Sequence, residues 1–118
     1  MLIYVSGPYT ANTIQEIENN VGQAIDAGIQ IMLKGHEVIV PHLSHYLDIR
    51  AKKQNVTLTW EDFMNSDIEI VKRCDAILFL SNSKGADIEL DTALKSGLKK
   101  FNKVSEIPVN NRKCWHIK

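Results

Sequence analysis

The stretch LFLSNSKGADIELDTA (residues 78–93) changes from an apolar run through a small polar turn to a helical pattern. The run DAILFL (75–80) is continuously apolar, which is typical of a strand buried on both faces of a parallel sheet. The segment KGADIELDTALKSG (84–97) predicts a helix that ends at Gly97. A buried strand that turns directly into a helix is the repeating unit of α/β folds.

The same alternation of strand and helix runs along the rest of the chain. Two further strands, LIYVS (2–6) and HEVIVP (36–41), stop at glycine or proline turns. Helices are predicted in residues 11–35, from apolar residues at three- and four-residue intervals, and in residues 57–74, from a threonine N-cap followed by acids. The predicted apolar face of the first helix consists of Ile14, Ile17, Val21, Ala24, Ile25, Gly28, Ile29 and Met32. The order predicts an open parallel sheet of four to five strands with helices on both faces, a flavodoxin- or Rossmann-like three-layer fold.

Two segments carry weaker patterns. Residues 42–56 are polar and have no sustained period, so we interpret them as a loop with at most one helical turn. The C-terminal residues 101–118 have the least regular pattern, and KCWHIK (113–118) is a candidate edge strand.

Composition and charge limit the class of protein. With 118 residues, the chain is long enough for one domain with a core of its own, and we assign residues 1–118 to a single domain. Lys and Arg number 14, as do Asp and Glu, so no net charge favours a nucleic acid polymer or a membrane surface. No apolar run approaches the about 20 residues of a membrane span, and no leader peptide is evident. Two cysteines without metal-ligand spacing complete the pattern of a cytoplasmic protein.

In open parallel sheets, ligands bind beyond the carboxyl ends of the strands. The predicted strand ends place three segments there: Gly7-Pro8-Tyr9-Thr10, Pro41-His42, and residues 81–89.

The third segment has the features of an anion site. Ser83 and Gly85 precede or begin the predicted helix, whose free N–H groups and dipole favour a phosphate. The alternative is purely structural: Ser83 caps the helix and Asp87 complements its dipole. The segment is neither a Walker loop nor a dinucleotide fingerprint, because it contains a single glycine.

Two carboxylates are candidates for the chemistry of glycosyl transfer. Glu89 lies one turn into the helix, about one sugar length from a phosphate bound at the turn, where it would reach an anomeric carbon. Asp67, near the middle of the preceding helix, is a candidate acid for the leaving group. The alternative for Asp67 is a solvated position on the helix surface.

Histidines and aromatic residues supply further candidates. His42, directly after Pro41, is placed to contact a bound base or sugar. His42, His45 and Asp48 would share a face if their segment were helical, which leaves a divalent metal site as the less favoured alternative. Tyr9 and Trp60 are candidates to stack on a base, although packing is the more common use of such a tryptophan.

Taken together, these segments resemble the nucleoside 2-deoxyribosyltransferase superfamily. The resemblance covers most of the chain, from Leu2 to about Lys100, and is carried by IYVSGPY, GHEVIVPH, CDAILFL and SKGADIE. The similarity is closest to the small branch of deoxynucleoside 5'-monophosphate N-glycosidases and related uncharacterised domains. Its most specific element is the spacing of Ser83, Gly85 and Glu89.

The resemblance implies a role for each matching residue. Glu89 matches the nucleophile that forms a glycosyl-enzyme intermediate, Tyr4 the tyrosine that positions it, and Asp67 the acid near the leaving base. The matching substrate-binding positions are Ser83, Gly85, Gly7, Pro8, Tyr9 and His42. The monophosphate hydrolases carry a serine and an arginine where this chain has Pro8 and Thr10, so this loop lacks their cationic phosphate clamp.

The expected function is therefore cleavage or transfer at the N-glycosidic bond of a nucleoside or nucleoside 5'-monophosphate. The resemblance implies a homodimer or larger homo-oligomer that uses no metal and no organic cofactor. Two rival hypotheses are a nucleotide-sensing module that does no chemistry and a structural subunit with a vestigial pocket. The enzyme hypothesis requires Tyr4 and Glu89 to lie side by side at the mouth of the sheet, whereas the sensor does not.

Overall fold

A computed structural model describes residues 1–110. The candidate edge strand KCWHIK lies outside the described residues. In chain order the elements are β1 (Leu2–Ser6), α1 (Ile14–Leu33), β2 (Glu37–Ile39), a 3₁₀ turn (Pro41–Leu43), α2 (Ser44–Lys53), α3 (Trp60–Val71), β3 (Ala76–Phe79), α4 (Lys84–Lys95), β4 (Lys99–Phe101) and a second 3₁₀ turn (Val104–Glu106).

The four strands form one sheet in the order β2-β1-β3-β4, and every neighbouring pair is parallel. The predicted fold class, an open parallel sheet in an α/β fold, is confirmed. The chain runs from β1 to its neighbour β2 on one side, and then crosses from β2 to β3 on the other side of β1. The topological switch point, where α/β folds usually bind ligands, therefore lies between β1 and β3.

The residues of β1 alternate between the two faces of the sheet, as the two-residue period of a strand requires. Ile3 and Val5 are fully buried in a core formed with α1, and Ile107 packs into the same core. Tyr4 is fully buried on the opposite face among residues of α3 and α4. Helices therefore cover both faces, and β1 lies at the centre of the molecule.

The buried face of α1 differs from the predicted one. Ile14, Ile29 and Met32, all assigned to the apolar face, are exposed, whereas Ala27 and Ile31 are buried. The core formed with the sheet takes in Ala24, Ala27 and Ile31, so the buried face of α1 is centred on these residues. A Cβ added at Gly28 would lie 2.7 Å from Val40 Cγ2, so a larger residue there would require Val40 or α1 to shift.

The interpretation of residues 42–56 as a loop is wrong. The segment contains a 3₁₀ turn (Pro41–Leu43) and the ten-residue helix α2. The apolar residues of α2 do not form one buried stripe: Ala51 is buried, whereas Leu47 is 64% exposed. Hydrophobic periodicity therefore could not reveal the helix.

The helix ends follow their local signals. Thr59 caps α3 in a capping box with Asp62, as one of the two predicted caps. Ser83 caps α4 by accepting a hydrogen bond from the Ala86 N–H at 3.1 Å. The chain turns away from α1 at Gly35, whose φ of +88° is readily accessible to glycine. Among residues 1–110, no helix combines the length and the apolar character of a membrane span.

Candidate active site

Glu89 is held at the switch point by two hydroxyl groups of β1. The Tyr4 hydroxyl donates to Glu89 Oε2, and the Ser6 hydroxyl donates to Oε1 at 2.7 Å. Glu89 is only 5% exposed, and Tyr4 and Ser6 are fully buried. The prediction that Tyr4 and Glu89 lie side by side is confirmed.

The ionisation of this cluster is set by burial and by the two hydrogen bonds. Burial raises the pKa of Glu89, and the hydrogen bonds from Tyr4 and Ser6 act in the opposite direction because they favour the carboxylate. Burial also raises the pKa of Tyr4 far above its ordinary value, with a further contribution from the charge of Glu89. The tyrosine therefore stays neutral and acts as a hydrogen-bond donor.

A cavity of about 230 Å³ opens beside Glu89. Seven of the nine predicted site residues line it: Gly7, Tyr9, His42, Asp67, Ser83, Gly85 and Glu89. Tyr4 lies behind Glu89 rather than in the cavity wall, and Pro8 is not among the lining residues. The three strand-end segments thus meet at one cavity, to which α3 contributes a further wall.

Asp67 enters the cavity from α3 and is half-buried. Burial, together with the negative charge of Glu89, raises the pKa of Asp67 to about 7. No hydroxyl or amide donor contacts this carboxyl among the residues described. Asp67 is therefore the group of the pair that retains a proton near neutral pH, which is the state a general acid requires.

The α4 N-terminus forms the floor of the cavity at Ser83, Gly85 and Ala86. The structural interpretation of Ser83 is confirmed, because its side chain caps α4, and Ser83 also borders the cavity. Trp60 lines the cavity beside this turn: a Cβ added at Gly85 would lie 3.9 Å from its ring, and the Lys84 ammonium lies 4.8 Å from the ring centre. The tryptophan is therefore part of the cavity wall and not only a packing residue.

His42 is buried in the cavity wall, and its Nε2 lies 3.1 Å from the carbonyl oxygen of Gly7. Burial lowers the pKa of His42, although nearby backbone carbonyls of Gly7 and Pro8 act in the opposite direction. A neutral ring uses Nε2–H as the donor to Gly7. The histidine thereby ties the 3₁₀ turn to the loop after β1.

The alternative of a metal held by His42, His45 and Asp48 has no support in the geometry. His45 Nδ1 lies 3.0 Å from the Tyr9 hydroxyl, and Asp48 forms an ion pair with Lys52. Within residues 1–110, no three His, Cys, Asp or Glu side chains cluster as metal ligands.

Comparison with known protein families gives a match to a domain family. The family model described as a domain of unknown function, DUF4406, matches residues 1–101. The chain belongs to the DUF4406 family. No curated protein matches it.

The match to DUF4406 spans the sheet and the entire candidate site. Tyr4, Ser6, Asp67 and Glu89 all lie within residues 1–101, whereas Ile107, which completes the core, lies after them. The cluster at the switch point therefore lies within the part of the chain that the family model matches.

Ser6 is a site residue of this DUF4406 domain that sequence reasoning missed, as it missed the cavity-lining Leu58, Phe63 and Met64. A usable signal was present, because residues two apart on a strand face the same side and Tyr4 was already a candidate. The sequence pattern did not show that both hydroxyls would reach a single carboxylate.

Proposed function

We propose that this DUF4406 protein cleaves or transfers the N-glycosidic bond of a nucleoside or nucleoside 5'-monophosphate, most readily a 2'-deoxy one. The main support for this proposal is the Glu89 carboxylate, which is buried beside a cavity and accepts a hydrogen bond on each oxygen. A sensor would have no need to bury a carboxylate in this way. The resemblance to the nucleoside 2-deoxyribosyltransferase superfamily supports the same reaction.

The proposed first step is a displacement at C1'. A Glu89 oxygen forms a bond to C1', the C1'–N bond breaks, and its electron pair goes to the departing base. Asp67 gives its proton to that base and becomes a carboxylate. The oxocarbenium-like transition state forms more readily on a 2'-deoxyribosyl than on a ribosyl group, because the electron-withdrawing 2'-hydroxyl is absent.

The second step resolves the glycosyl-Glu89 ester. Water or a second base attacks C1', the bond to the Glu89 oxygen breaks, and the carboxylate is regenerated. Asp67 accepts the proton that the incoming nucleophile releases, which restores the starting state. Water gives hydrolysis and a base gives transfer, so both outcomes use the same residues.

The ends of the substrate have complementary places in the cavity. Tyr9 and Trp60 offer aromatic surfaces for the base, while the α4 N-terminus at Ser83 and Gly85 suits the 5' end of the sugar. As part of the proposal, a second subunit completes the site in a homodimer or larger homo-oligomer. Exposed apolar side chains of the segment around α2, including Leu43 and Tyr46, are available for such a contact.

The test is base release from a panel of deoxynucleosides, ribonucleosides and their 5'-monophosphates, followed by chromatography. We expect release of free base by the wild type and none above the protein-free blank by Glu89→Gln. The matched control is Asp91→Asn, which removes an exposed acid from the same helix and should retain activity. Intact-protein mass spectrometry of quenched reactions should detect a deoxyribosyl adduct on the wild type and none on Glu89→Gln.

Two results would contradict the proposal. Equal base release by the wild type and Glu89→Gln would exclude the covalent mechanism. Thermal stabilisation by a nucleotide that stays intact, and that Glu89→Gln still binds, would instead identify a sensing module.

A further inference from the structure

We propose that Ser6 is a second positioning residue for Glu89, and that Tyr4 and Ser6 act as a pair that keeps this carboxylate ionised and aimed. The kinetic consequences of this inference rest on the proposed function, whereas the ionisation of Glu89 does not depend on it. The pair is defined by the two hydrogen bonds to Oε2 and Oε1.

The first argument concerns orientation. The terminal torsion of a glutamate has a broad, shallow preference, so a single hydrogen bond leaves the plane of the carboxylate free to rotate. Bonds to both oxygens fix the plane as well as the position. Ser6 is a rigid anchor because it pairs with Phe79 in the sheet and its carbonyl accepts from the Leu80 N–H at 2.8 Å.

The second argument concerns charge. No cation among residues 1–110 forms an ion pair with Glu89, so hydroxyl dipoles are the stabilising groups that the structure offers to its charge. Each hydroxyl carries a single proton and donates it to Glu89. A carboxylate oxygen is a stronger acceptor than a carboxyl oxygen, so protonation of Glu89 would weaken the hydrogen bonds from both hydroxyls. The pair therefore favours the ionised form, which is the nucleophilic form.

The third argument is that the pair leaves Glu89 able to react. Each carboxylate oxygen offers about two lone-pair directions, and the hydroxyls of β1 occupy one on each oxygen. Glu89 also lines the cavity. One oxygen can thus attack C1' while the other keeps its hydrogen bond.

The experiment compares Ser6→Ala with the wild type by two independent readouts. The first is the titration of Glu89, followed by NMR of the ¹³C-labelled carboxyl and assigned from its loss in Glu89→Gln. The second is the pH profile of kcat/KM for base release. Ser6→Ala removes a donor to the charged form, so the titration midpoint of Glu89 should rise by about one pH unit. The acidic limb of the pH profile should shift to higher pH by the same amount. The basic limb, governed by Asp67, should stay near its original position.

Three further variants separate positioning from packing. Ser6→Thr retains the hydroxyl and should restore both readouts. Ser6→Cys retains a weaker donor and should shift Glu89 in the same direction by less than Ser6→Ala. Thr92→Val is the matched control, because it removes a hydroxyl from α4 that donates to the Ile88 carbonyl and not to Glu89. Neither readout should move in this control.

The outcomes distinguish the inference from the proposed function. If folded Ser6→Ala leaves the Glu89 midpoint unchanged, the inference is overturned whether or not base is released. If the wild type releases no base but the midpoint still rises in Ser6→Ala, the proposed function fails and the ionisation role of Ser6 stands. Should Ser6→Ala not fold, an unchanged midpoint in Ser6→Cys overturns the inference and a raised one supports it.

Discussion

Glu89 and Asp67 are two carboxyl groups that face one cavity and differ in their hydrogen-bond partners. Burial opposes ionisation of both, but Glu89 accepts two hydrogen bonds that favour its charge. Asp67 lacks such donors among the described residues and is further opposed by the charge of Glu89. This difference in hydrogen bonding favours the carboxylate form of Glu89 and the protonated form of Asp67.

Replacement of Asp67 tests this assignment through stability. The pKa of Asp67 is about 7 in the folded protein, above the 3.8 of an ordinary aspartate, so the native state holds the extra proton between these values. The stabilisation from this proton is complete below about pH 4 and is lost as the pH rises through 7. An asparagine side chain cannot ionise and so does not lose this stabilisation. Between pH 4 and pH 8, the free energy of unfolding of Asp67→Asn should therefore rise by about 1–2 kcal/mol relative to that of the wild type, after allowance for partial exposure.

Urea denaturation at several pH values measures this gain. Glu69→Gln, which removes an exposed acid from the same helix, is the control and should follow the wild-type pH dependence. A difference between Asp67→Asn and the wild type that does not change with pH would refute a raised pKa at Asp67.

At the scale of the element, α4 combines a structural start with a candidate binding surface. Ser83 caps the helix, while the same turn forms the cavity floor. The free N–H groups of the first turn are the part of α4 that favours an anion.

Ser83→Ala separates these two contributions. Loss of the cap should lower the free energy of unfolding by about 1 kcal/mol. If the 5'-phosphate of a substrate lies at this turn, KM should rise more for 5'-monophosphates than for the corresponding nucleosides. Thr13→Ala, which removes the N-cap of α1, should lower stability similarly without changing substrate preference. Equal changes in KM for both substrate types would exclude a phosphate at Ser83.

At the scale of the whole molecule, the segment after β4 completes the core. Ile107 is 2% exposed and packs with α1 and the central strands. The Lys34 ammonium donates to the carbonyl oxygens of Val104 and Ile107 at 2.7 and 2.8 Å, which ties the segment to the end of α1. The folded domain thus extends beyond residues 1–101, where the family match ends.

Ile107→Ala should therefore lower the free energy of unfolding by about 2–5 kcal/mol, as expected for truncation of a buried aliphatic side chain. Val109→Ala, at a position that is 65% exposed, is the matched control and should have little effect. Chemical denaturation of both variants measures the difference. Similar stabilities of the two variants would show that the segment does not belong to the cooperative core.

The sequence by itself determined the features that depend on near neighbours along the chain. Strand β1 occupies residues 2–6 as predicted, and Thr59 and Ser83 are helix caps because capping joins residues only a few positions apart. The order of strands and helices also determined the α/β class. These interactions are local, so residue type and spacing are sufficient to predict them.

Only the tertiary structure decided which surfaces meet. Apolar residues lie on several sides of α1, and contact with the sheet selected Ile31 rather than Ile29 for burial. Ser6 and Tyr4 reach Glu89 across 83 and 85 positions of the chain, so no local pattern could pair them. Spacing could propose Glu89 as a reactive carboxylate, but its burial, its two donors and its ionisation arise from strands and helices that pack together far from one another in the sequence.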